Sequence, residues 1–161
     1  MADGCETSLI YRSTLPYRIH KEQFVLDTIA SERRSENMRA IRSKGMKPEL
    51  AVRKLVHALG FRYRLHQRDL PGKPDLVFPG RRKIIFVHGC FWHQHGDQTC
   101  KVSRVPKSRP EYWLPKLERN KQRDAEHLQS LKEAGWKVLV LWECEVSRPM
   151  SLRRKIRTFL R

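Results

Sequence analysis

The sequence predicts an α/β fold with a mixed central sheet flanked by helices. Helix and strand patterns follow one another in the order α, β, β, β, α, β, α, which places helices on the faces of one sheet. Apolar runs at 83–87 and 136–142 are typical of buried strands. At 161 residues the chain suits one domain with a real core. We expect residues 1–30 to form a poorly ordered N-terminal arm and residues 31–161 a single domain.

Two helices are predicted at the start of this domain. Residues 35–41 are consistent with a short helix. A second helix begins at Pro48 and Glu49, because a first turn tolerates a missing N–H and favours a negative charge. Gly60 indicates where this helix ends. Its apolar residues lie at helical spacing and are Val52, Leu55, Val56 and Leu59.

Three strands are predicted next. Residues 61–65 alternate apolar and basic side chains, as a half-buried strand does. A turn-rich loop at 69–74 leads into a short strand at 75–78. Pro79 and Gly80 then favour a turn before a buried strand at 83–87.

The last part of the chain predicts a helix, a strand and a helix. The helix is expected over 115–134, with Gly135 as its end. Its inward residues are Leu117, Leu128 and Leu131. Residues 136–142 form a continuous apolar strand, which we expect to be covered on both faces. A final amphipathic helix carries Leu152, Ile156, Phe159 and Leu160.

The charge of the chain indicates a polyanionic partner. Lys and Arg number 34 and Asp and Glu number 17, so the net charge is +17. Nucleic acid is the common partner of so basic a domain. Solubility alone and an anionic membrane surface are weaker alternatives. We expect no membrane span and no secretory signal, and therefore a cytoplasmic, nucleoid-associated protein with reduced thiols.

Cysteine and histidine side chains form a candidate metal site. Cys90, His95 and Cys100 share one short segment, and Cys144 follows the strand at 136–142. Three thiolates and an imidazole are a ligand set for tetrahedral zinc, and four protein ligands leave no open position. The zinc is therefore expected to be structural. Buried free cysteines and a disulfide are the alternatives.

A second group of residues indicates metal-dependent nuclease chemistry. Asp75 follows a proline at the start of a short strand, where an aspartate can hold a hard divalent cation against a phosphate. His88 ends the next strand, and Glu49 is the best second carboxylate. Taken singly, Asp75 is a common turn residue, Glu49 a helix start, and His88 and His93 ordinary hydrogen-bonding groups.

A basic segment follows the histidine-rich loop. Four of its residues are predicted to contact DNA phosphates: Lys101, Arg104, Lys107 and Arg109. A solvated basic loop is the alternative. These residues alone also leave open a zinc-stabilised DNA-binding module without catalysis, and they do not define the target of a metal-dependent nuclease.

Together these motifs resemble the very-short-patch-repair mismatch endonucleases, the Vsr family. The resemblance covers residues 31–144, and it rests on segments 37–41, 47–49, 70–75, 86–93, 111–113 and 142–144. It implies a restriction-endonuclease-like α/β fold with a structural zinc. It also implies a magnesium-dependent enzyme that nicks duplex DNA 5′ to the thymine of a T:G mismatch, which arises when 5-methylcytosine deaminates.

The resemblance implies a role for each candidate residue. Asp75 and the backbone carbonyl of Val87 would hold Mg²⁺ at the scissile phosphate. His93 would act as the general base or bind the phosphate and its attacking water. His88 and Glu49 would order metal-bound water and assist the leaving group. The positions of the zinc ligands fall on Cys90, His95, Cys100 and Cys144.

The resemblance also implies how the mismatch is recognised. Phe91, Trp92 and Trp113 match an aromatic wedge that enters the base stack, and Met38 matches a residue inserted from the minor groove. A wobble pair is already poorly stacked, so separating it costs less than opening a matched step. The implied partners are DNA, a cytosine-5 DNA methyltransferase and mismatch-repair proteins, and a monomer suffices. Val87 stands where some relatives have threonine, and the segment 96–99 is longer than usual.

Overall fold

The computed structural model describes residues 46–65 and 67–161. The first helix, α1, spans Lys47–Ala58 and carries Pro48 in its first turn, as the sequence predicts. It buries Val52 and Val56. It is followed by Gly60 with φ +85°, a left-handed conformation that favours glycine. The predictions for residues 1–30, 35–41 and Met38 lie outside the described residues.

Four strands form one mixed sheet in the order β1-β2-β3-β4. The strands are β1 (Arg64–Leu65), β2 (Leu76–Phe78), β3 (Lys83–His88) and β4 (Lys137–Trp142). The pairs β1–β2 and β2–β3 are antiparallel, whereas β3 and β4 are parallel. The parallel pair is connected through helix α3 (Pro110–Glu133). The predicted α/β architecture with a mixed sheet is therefore confirmed.

Two strands differ from their predicted bounds. The strand predicted at 61–65 pairs only at Arg64 and Leu65, because β2 offers a partner edge of just three residues. Phe61 and Tyr63 still pack against the core, although they lie outside the hydrogen-bonded pairing of β1 with β2. Asp75, predicted to open a strand, instead precedes β2 by one residue, and its carboxylate accepts the backbone N–H of Val87 at 2.7 Å.

Helix α3 begins five residues earlier than predicted, at Pro110 instead of Pro115. Both prolines suit a first turn, and the sequence interpretation chose the wrong one. Pro115 lies within the second turn, where its missing N–H leaves the carbonyl of Glu111 without its helical partner. The predicted inward face is confirmed, since Leu117 and Leu131 are buried.

The core lies on both faces of the sheet. On one face, α1 and the last helix, α4 (Pro149–Leu160), pack against Ile85 and Leu141. On the other face, α3 packs against Ile84 and Phe86. Strand β4 contributes alternate residues to the two faces, as its apolar run predicts. The amphipathic character of α4 is also confirmed, because its apolar residues Leu152, Ile156 and Leu160 are buried.

Two short helical segments shape the region beyond β3. Residues predicted as loop form a one-turn helix, α2 (Cys90–His93), directly after the strand. A 3₁₀ turn at Lys101–Ser103 packs beside it within the predicted irregular segment. Gln94 joins the two, because its side-chain amide donates to the carbonyls of Phe91 and Ser103. Across residues 46–65 and 67–161, no helix combines the length and apolarity that a membrane crossing needs.

Candidate active site

An open groove of about 1050 Å³ lies at the end of β3, on the sheet face that α3 covers. The loop 68–73, the end of β3, α2 and α3 form its walls. The groove is lined by Asp75, Val87, His88, His93 and Asp124, among others. The structure therefore brings three of the four predicted catalytic side chains into one cleft.

The loop wall of the groove depends on a glycine. Gly72 has φ +72°, and a Cβ added there would lie 3.0 Å from His127 Nδ1 of α3. Only glycine lets the loop lie this close to the helix without strain. The loop brings Arg68 and Lys73 to the groove, opposite Arg123 of α3. These three cations were not predicted individually, because they do not stand out in so basic a sequence.

Asp75 is a half-buried carboxylate beside a second carboxylate. Burial, together with the negative charge of Glu49, raises the pKa of Asp75 to about 6. The N–H of Val87 and the charge of Arg53 act in the opposite direction. A desolvated carboxylate with a second oxygen donor next to it is the kind of group that a divalent cation stabilises. The donor set thus fits a hard metal ion.

Glu49 reaches this place from the first turn of α1. Its side chain is only 4% exposed and forms an ion pair with Arg53, one helical turn later. The pairing makes a buried carboxylate tolerable, because an unpaired charge there would cost several kcal/mol, on the order of 3–5. The structure therefore places the predicted second carboxylate next to Asp75.

The imidazole rings of His88, at the end of β3, and His93, at the end of α2, stack against each other. Their rings are nearly parallel, with centroids 4.0 Å apart and an interplanar angle of 14°. Burial, followed by the nearby His93, lowers the pKa of His88 to about 4. The ring of His88 also packs edge-on against Trp142. His88 is thus a neutral imidazole at physiological pH.

His93 is oriented by a residue that the sequence interpretation missed. Its Nδ1 lies 2.5 Å from Oδ2 of Asp124 in α3. Burial alone would raise the pKa of Asp124, but the hydrogen bond with His93 and the two imidazoles bring it below its ordinary value. An ionised Asp124 accepts the Nδ1 proton, so Nε2 of a neutral His93 is left as a proton acceptor.

A signal for Asp124 does exist in the sequence. Asp124 lies seven residues after Leu117 and seven before Leu131, so all three share the inward stripe of α3. A carboxylate on an otherwise buried helical stripe needs a partner. Asn120 lies on the same stripe and donates to the backbone carbonyl of Trp92 at 3.1 Å. α3 therefore fixes both the histidine and the backbone of α2.

The predicted zinc ligands come together as one cluster. Ligand atoms of Cys90, His95, Cys100 and Cys144 all lie within 4.8 Å of one another. Cys144 Sγ is 3.7 Å from His95 Nε2, close to the separation of about 3.6 Å that tetrahedral zinc imposes on sulfur and nitrogen ligands. The three cysteines are free thiols, so the disulfide alternative is not realised. The cluster fits a zinc ion.

This cluster joins distant parts of the fold. The N–H of Cys144, after β4, donates to Cys90 Sγ at the start of α2. Cys100 is held despite the lengthened 96–99 segment, which closes on itself through the carboxylate of Asp97 and the hydroxyl of Thr99. Burial raises the pKa of the Cys90 thiol to about 12. A cation in the cluster would favour the thiolate.

The three predicted wedge residues form one aromatic cluster. Phe91 lies 4.9 Å from Trp92 and 5.2 Å from Trp113, measured between ring centroids. Tyr112 extends the cluster into solvent, with 46% of its surface exposed. The ammonium group of Lys116 lies between 5.2 and 5.5 Å from the rings of Trp92, Tyr112 and Trp113. Lys116 and Tyr112 were not predicted.

The predicted phosphate-binding residues are exposed on the segment between the cysteine–histidine cluster and α3. Lys101 begins the 3₁₀ turn that packs on α2. Arg109 precedes α3 with φ +54°, and its guanidinium lies over the ring of Tyr112. Whether these residues, or Lys107 and Arg104, contact phosphates stays a prediction.

The fold and the groove define a class of protein before any comparison is made. A basic α/β fold brings Asp75 and an imidazole–carboxylate pair to one cleft, with Glu49 next to Asp75 and half-buried aromatic rings nearby. That arrangement is typical of a nuclease. A sequence profile described as DNA mismatch endonuclease Vsr matches residues 26–99.

Relatives extend this match across the described chain. A type II nicking enzyme, V.XorIIP of Xanthomonas oryzae, is 49% identical over 134 residues, covering 83% of this chain and 96% of its own. V.NmeAIP of Neisseria meningitidis, also a type II nicking enzyme, is 38% identical over 84% of this chain and 94% of its own. The DNA mismatch endonuclease Vsr of Escherichia coli is 42% identical, over 69% of each chain. The chain belongs to the Vsr endonuclease family.

Proposed function

We propose that this protein is a magnesium-dependent endonuclease that nicks one strand of duplex DNA 5′ to the thymine of a T:G mismatch. The observation that carries the proposal is the shared groove of Asp75 and the His93–Asp124 pair, adjacent to the aromatic cluster. A relative named as a mismatch endonuclease supports the mismatch as target. The substrate is then DNA in which 5-methylcytosine has deaminated to thymine.

The carboxylates are proposed to hold the metal. Asp75 and the backbone carbonyl of Val87 would hold Mg²⁺, and Glu49 would accept hydrogen bonds from water beside it. Mg²⁺, when bound, neutralises the charge that builds on the scissile phosphate. The N–H of Val87 fixes the orientation of the Asp75 carboxylate, which leaves the other carboxylate oxygen for the metal. His88, neutral because it is buried, hydrogen-bonds water at the leaving-group side.

His93 is proposed to move the proton. Its Nδ1–H is donated to Asp124, so Nε2 can take a proton from the water that attacks the phosphorus atom. Asp124 keeps this tautomer and stabilises the imidazolium that forms. The attack makes one P–O bond and breaks the bond to the leaving 3′ oxygen, which gives a 5′-phosphate and a 3′-hydroxyl.

The aromatic cluster is proposed to recognise the weakened base step. Phe91, Trp92 and Trp113 replace lost base stacking, a contribution of about 1–3 kcal/mol per base in single-strand binders. Asn120 holds the backbone of α2 against α3 while the rings enter the duplex. A wobble pair opens at lower cost than a matched pair, so the insertion favours the mismatch.

A second candidate is a nicking endonuclease with a different target. Several relatives are named type II nicking enzymes, and that name does not specify a mismatch. The test uses three labelled duplexes of one sequence that carry T:G, T:A or C:G at the same position, with Mg²⁺. A nick 5′ to the thymine in the T:G duplex alone supports mismatch repair. Equal cutting of all three supports the second candidate, and binding without cutting would support a non-catalytic module.

Trp92→Ala is expected to weaken mismatch preference. Loss of one stacking ring should lower the rate ratio between T:G and T:A duplexes by about 5- to 160-fold, which corresponds to about 1–3 kcal/mol. Trp92→Phe keeps a ring and should retain most of the ratio. The measurement is single-turnover nicking of both duplexes at saturating enzyme. An unchanged ratio for Trp92→Ala would remove Trp92 from recognition.

The cysteine–histidine cluster is proposed to bind one structural zinc per chain. All four protein ligands are supplied, so no position is open for water, and the ion has no part in the chemistry. Its role is to fasten α2 and the following segment to the end of β4, which positions the aromatic rings and His93.

Cys144→Ser is expected to lose zinc and to destabilise the fold by more than about 3 kcal/mol. Metal analysis of the purified protein should give one zinc for the natural sequence and none for the variant, with a lower Tm. Cys5→Ser is the matched control and should keep both zinc and Tm. A natural protein without zinc, or a Cys144→Ser variant with a full equivalent, is the result against a structural zinc.

The proposed activity defines its cellular setting. A nick at an asymmetric lesion needs one active groove, so a monomer suffices. The deaminated base must come from the product of a cytosine-5 DNA methyltransferase, and the nicked strand passes to mismatch-repair proteins for resynthesis. These reactions take place on the chromosome, which favours the predicted cytoplasmic, nucleoid-associated location.

A further inference from the structure

The outer face of α4 is a basic surface that the proposed activity does not use. The helix carries four basic residues and no acidic one, whereas α3 carries five of each. Arg153, Arg154 and Arg157 are exposed and lie within about one turn of one another. Three guanidinium groups therefore form a compact cationic patch.

This patch lies on the far side of the sheet from the groove. α4 packs on the sheet face that includes Ile85 and Leu141, while the groove opens on the face that includes Phe86. The sheet and α4 itself separate the two surfaces, and each layer is roughly 10 Å thick. A duplex segment that occupies the groove cannot also lie along the outer face of α4 without a sharp bend.

Within the described residues, the charges of the patch are not balanced by ion pairs. The basic residues of α3 share their helix with an equal number of acidic ones, and Lys121 there pairs with Glu118. On α4, Lys155 pairs with Glu145. Among residues 46–65 and 67–161, no carboxylate forms an ion pair with Arg153, Arg154 or Arg157. Like charges at this spacing destabilise a helix by about 0.2–0.5 kcal/mol per pair, a cost that a bound polyanion offsets.

The chemistry of the patch favours phosphate groups on a nucleic acid. Arginine binds phosphate through two parallel N–H···O bonds, and the three exposed basic residues of α4 are all arginine. An anionic membrane fits less well, because Leu152, Ile156 and Leu160 are buried in the core and the single exposed Met150 is too little apolar surface to insert into lipid. The patch carries no groove or ring that would read a base.

We propose that Arg153, Arg154 and Arg157 bind the phosphate backbone of a second duplex DNA segment, independently of its sequence, while the groove holds the first. This second contact keeps the enzyme on DNA between encounters with mismatches. It goes beyond the proposed nicking activity and does not depend on it, since it requires only that the groove bind a duplex.

The test is capture of a second duplex. A short T:G duplex is immobilised and saturated with protein in magnesium-free buffer, and a labelled matched duplex of 60 base pairs is then added. The natural sequence should capture the labelled duplex, and Arg153→Gln/Arg154→Gln/Arg157→Gln should capture at least about tenfold less. We also expect a change in how binding of the arginine triple variant to the free 60-base-pair duplex depends on salt. The slope of log K against log salt concentration should be less steep by between about 2 and 3, one for each phosphate contact.

A matched control variant distinguishes an effect of the patch on capture from an effect of the net charge of the protein. Lys54→Gln/Lys132→Gln/Lys137→Gln removes the same charge from scattered exposed positions and should capture like the natural sequence. Both triple variants should nick a saturating T:G duplex at the natural rate, which also establishes that they fold. Equal losses in the two variants, no loss in the arginine variant, or no capture by the natural sequence would overturn the proposal. So would displacement of the labelled duplex by anionic vesicles. Failure to nick T:G duplexes would contradict the proposed function alone.

Discussion

Asp75→Asn is expected to abolish nicking while leaving most DNA binding intact. The carboxylate is the only anionic ligand proposed to touch the metal directly, and its loss removes several kcal/mol of transition-state stabilisation, so kcat should fall by at least about 10³-fold. Affinity should change little, because phosphate contacts by Lys and Arg supply most of it. The measurement is single-turnover nicking of a T:G duplex at saturating enzyme, with Kd measured in parallel.

The same variant is expected to be more stable than the natural protein without magnesium. Burial raises the pKa of Asp75 from 3.8 to about 6, so the folded state disfavours the ionised form. Above pH 6 this costs stability, up to about 3 kcal/mol, and the cost disappears as the pH falls from about 6 to about 4. Asparagine carries no charge and can still accept the N–H of Val87. Tm should therefore rise at pH 7.5 and match the natural protein near pH 4.

These two effects of Asp75→Asn must occur together. A less stable but inactive variant would mean that Asp75 mainly supports the fold. An active variant of any stability would mean that the metal is held elsewhere. Added Mg²⁺ should raise the Tm of the natural protein and leave that of Asp75→Asn unchanged, because binding stabilises only a protein that has the site.

Asp124→Asn is expected to lower kcat by about 10²- to 10⁴-fold, the range for a positioned general base. The amide can donate a proton to Nδ1 of His93, which would put the ring proton on Nε2 and remove the proton acceptor. Substrate affinity should change little. The loss should therefore fall on kcat and not on KM, a split that a purely structural change would not produce.

Glu126→Gln is the matched control for Asp124→Asn. Glu126 lies two residues further along α3, is exposed, and hydrogen-bonds to Gln122. The substitution removes the same charge at a position that does not line the groove, so the activity of this variant should remain within about twofold of the natural protein. If both variants lose activity equally, Asp124 acts through the charge or stability of α3 and not through His93.

The sequence predicted those structural features well that depend on a single helix or strand. Periodicity located the apolar faces of α1 and α4, and continuous apolar runs located β3 and β4. The cluster of Cys90, His95, Cys100 and Cys144 was also predictable, because those residue types have few other reasons to occur together. The structure brings Cys144 to the others by the parallel pairing of β3 and β4.

The sequence predicted less well those features that depend on contacts between two helices or strands. Asp124 was missed because its partner lies 31 residues away, and a charged residue on a helix is most often exposed. The lengths of β1 and β2 depend on which backbone groups form hydrogen bonds across the sheet. The carboxylate of Asp75 takes the place of one backbone acceptor, because it accepts the N–H of Val87. Two prolines could each begin α3, and only packing decides between Pro110 and Pro115.

The central claim is that Asp75 and the His93–Asp124 pair act in one groove to cut DNA beside a mismatch. It is tested most directly by single-turnover nicking of T:G and T:A duplexes of identical sequence, by the natural protein and by Asp75→Asn, with Mg²⁺. We expect one product, cut 5′ to the mismatched thymine, from the natural protein and the T:G duplex only. Comparable cutting of the T:A duplex, or a nick made by Asp75→Asn at the natural rate, would contradict the claim.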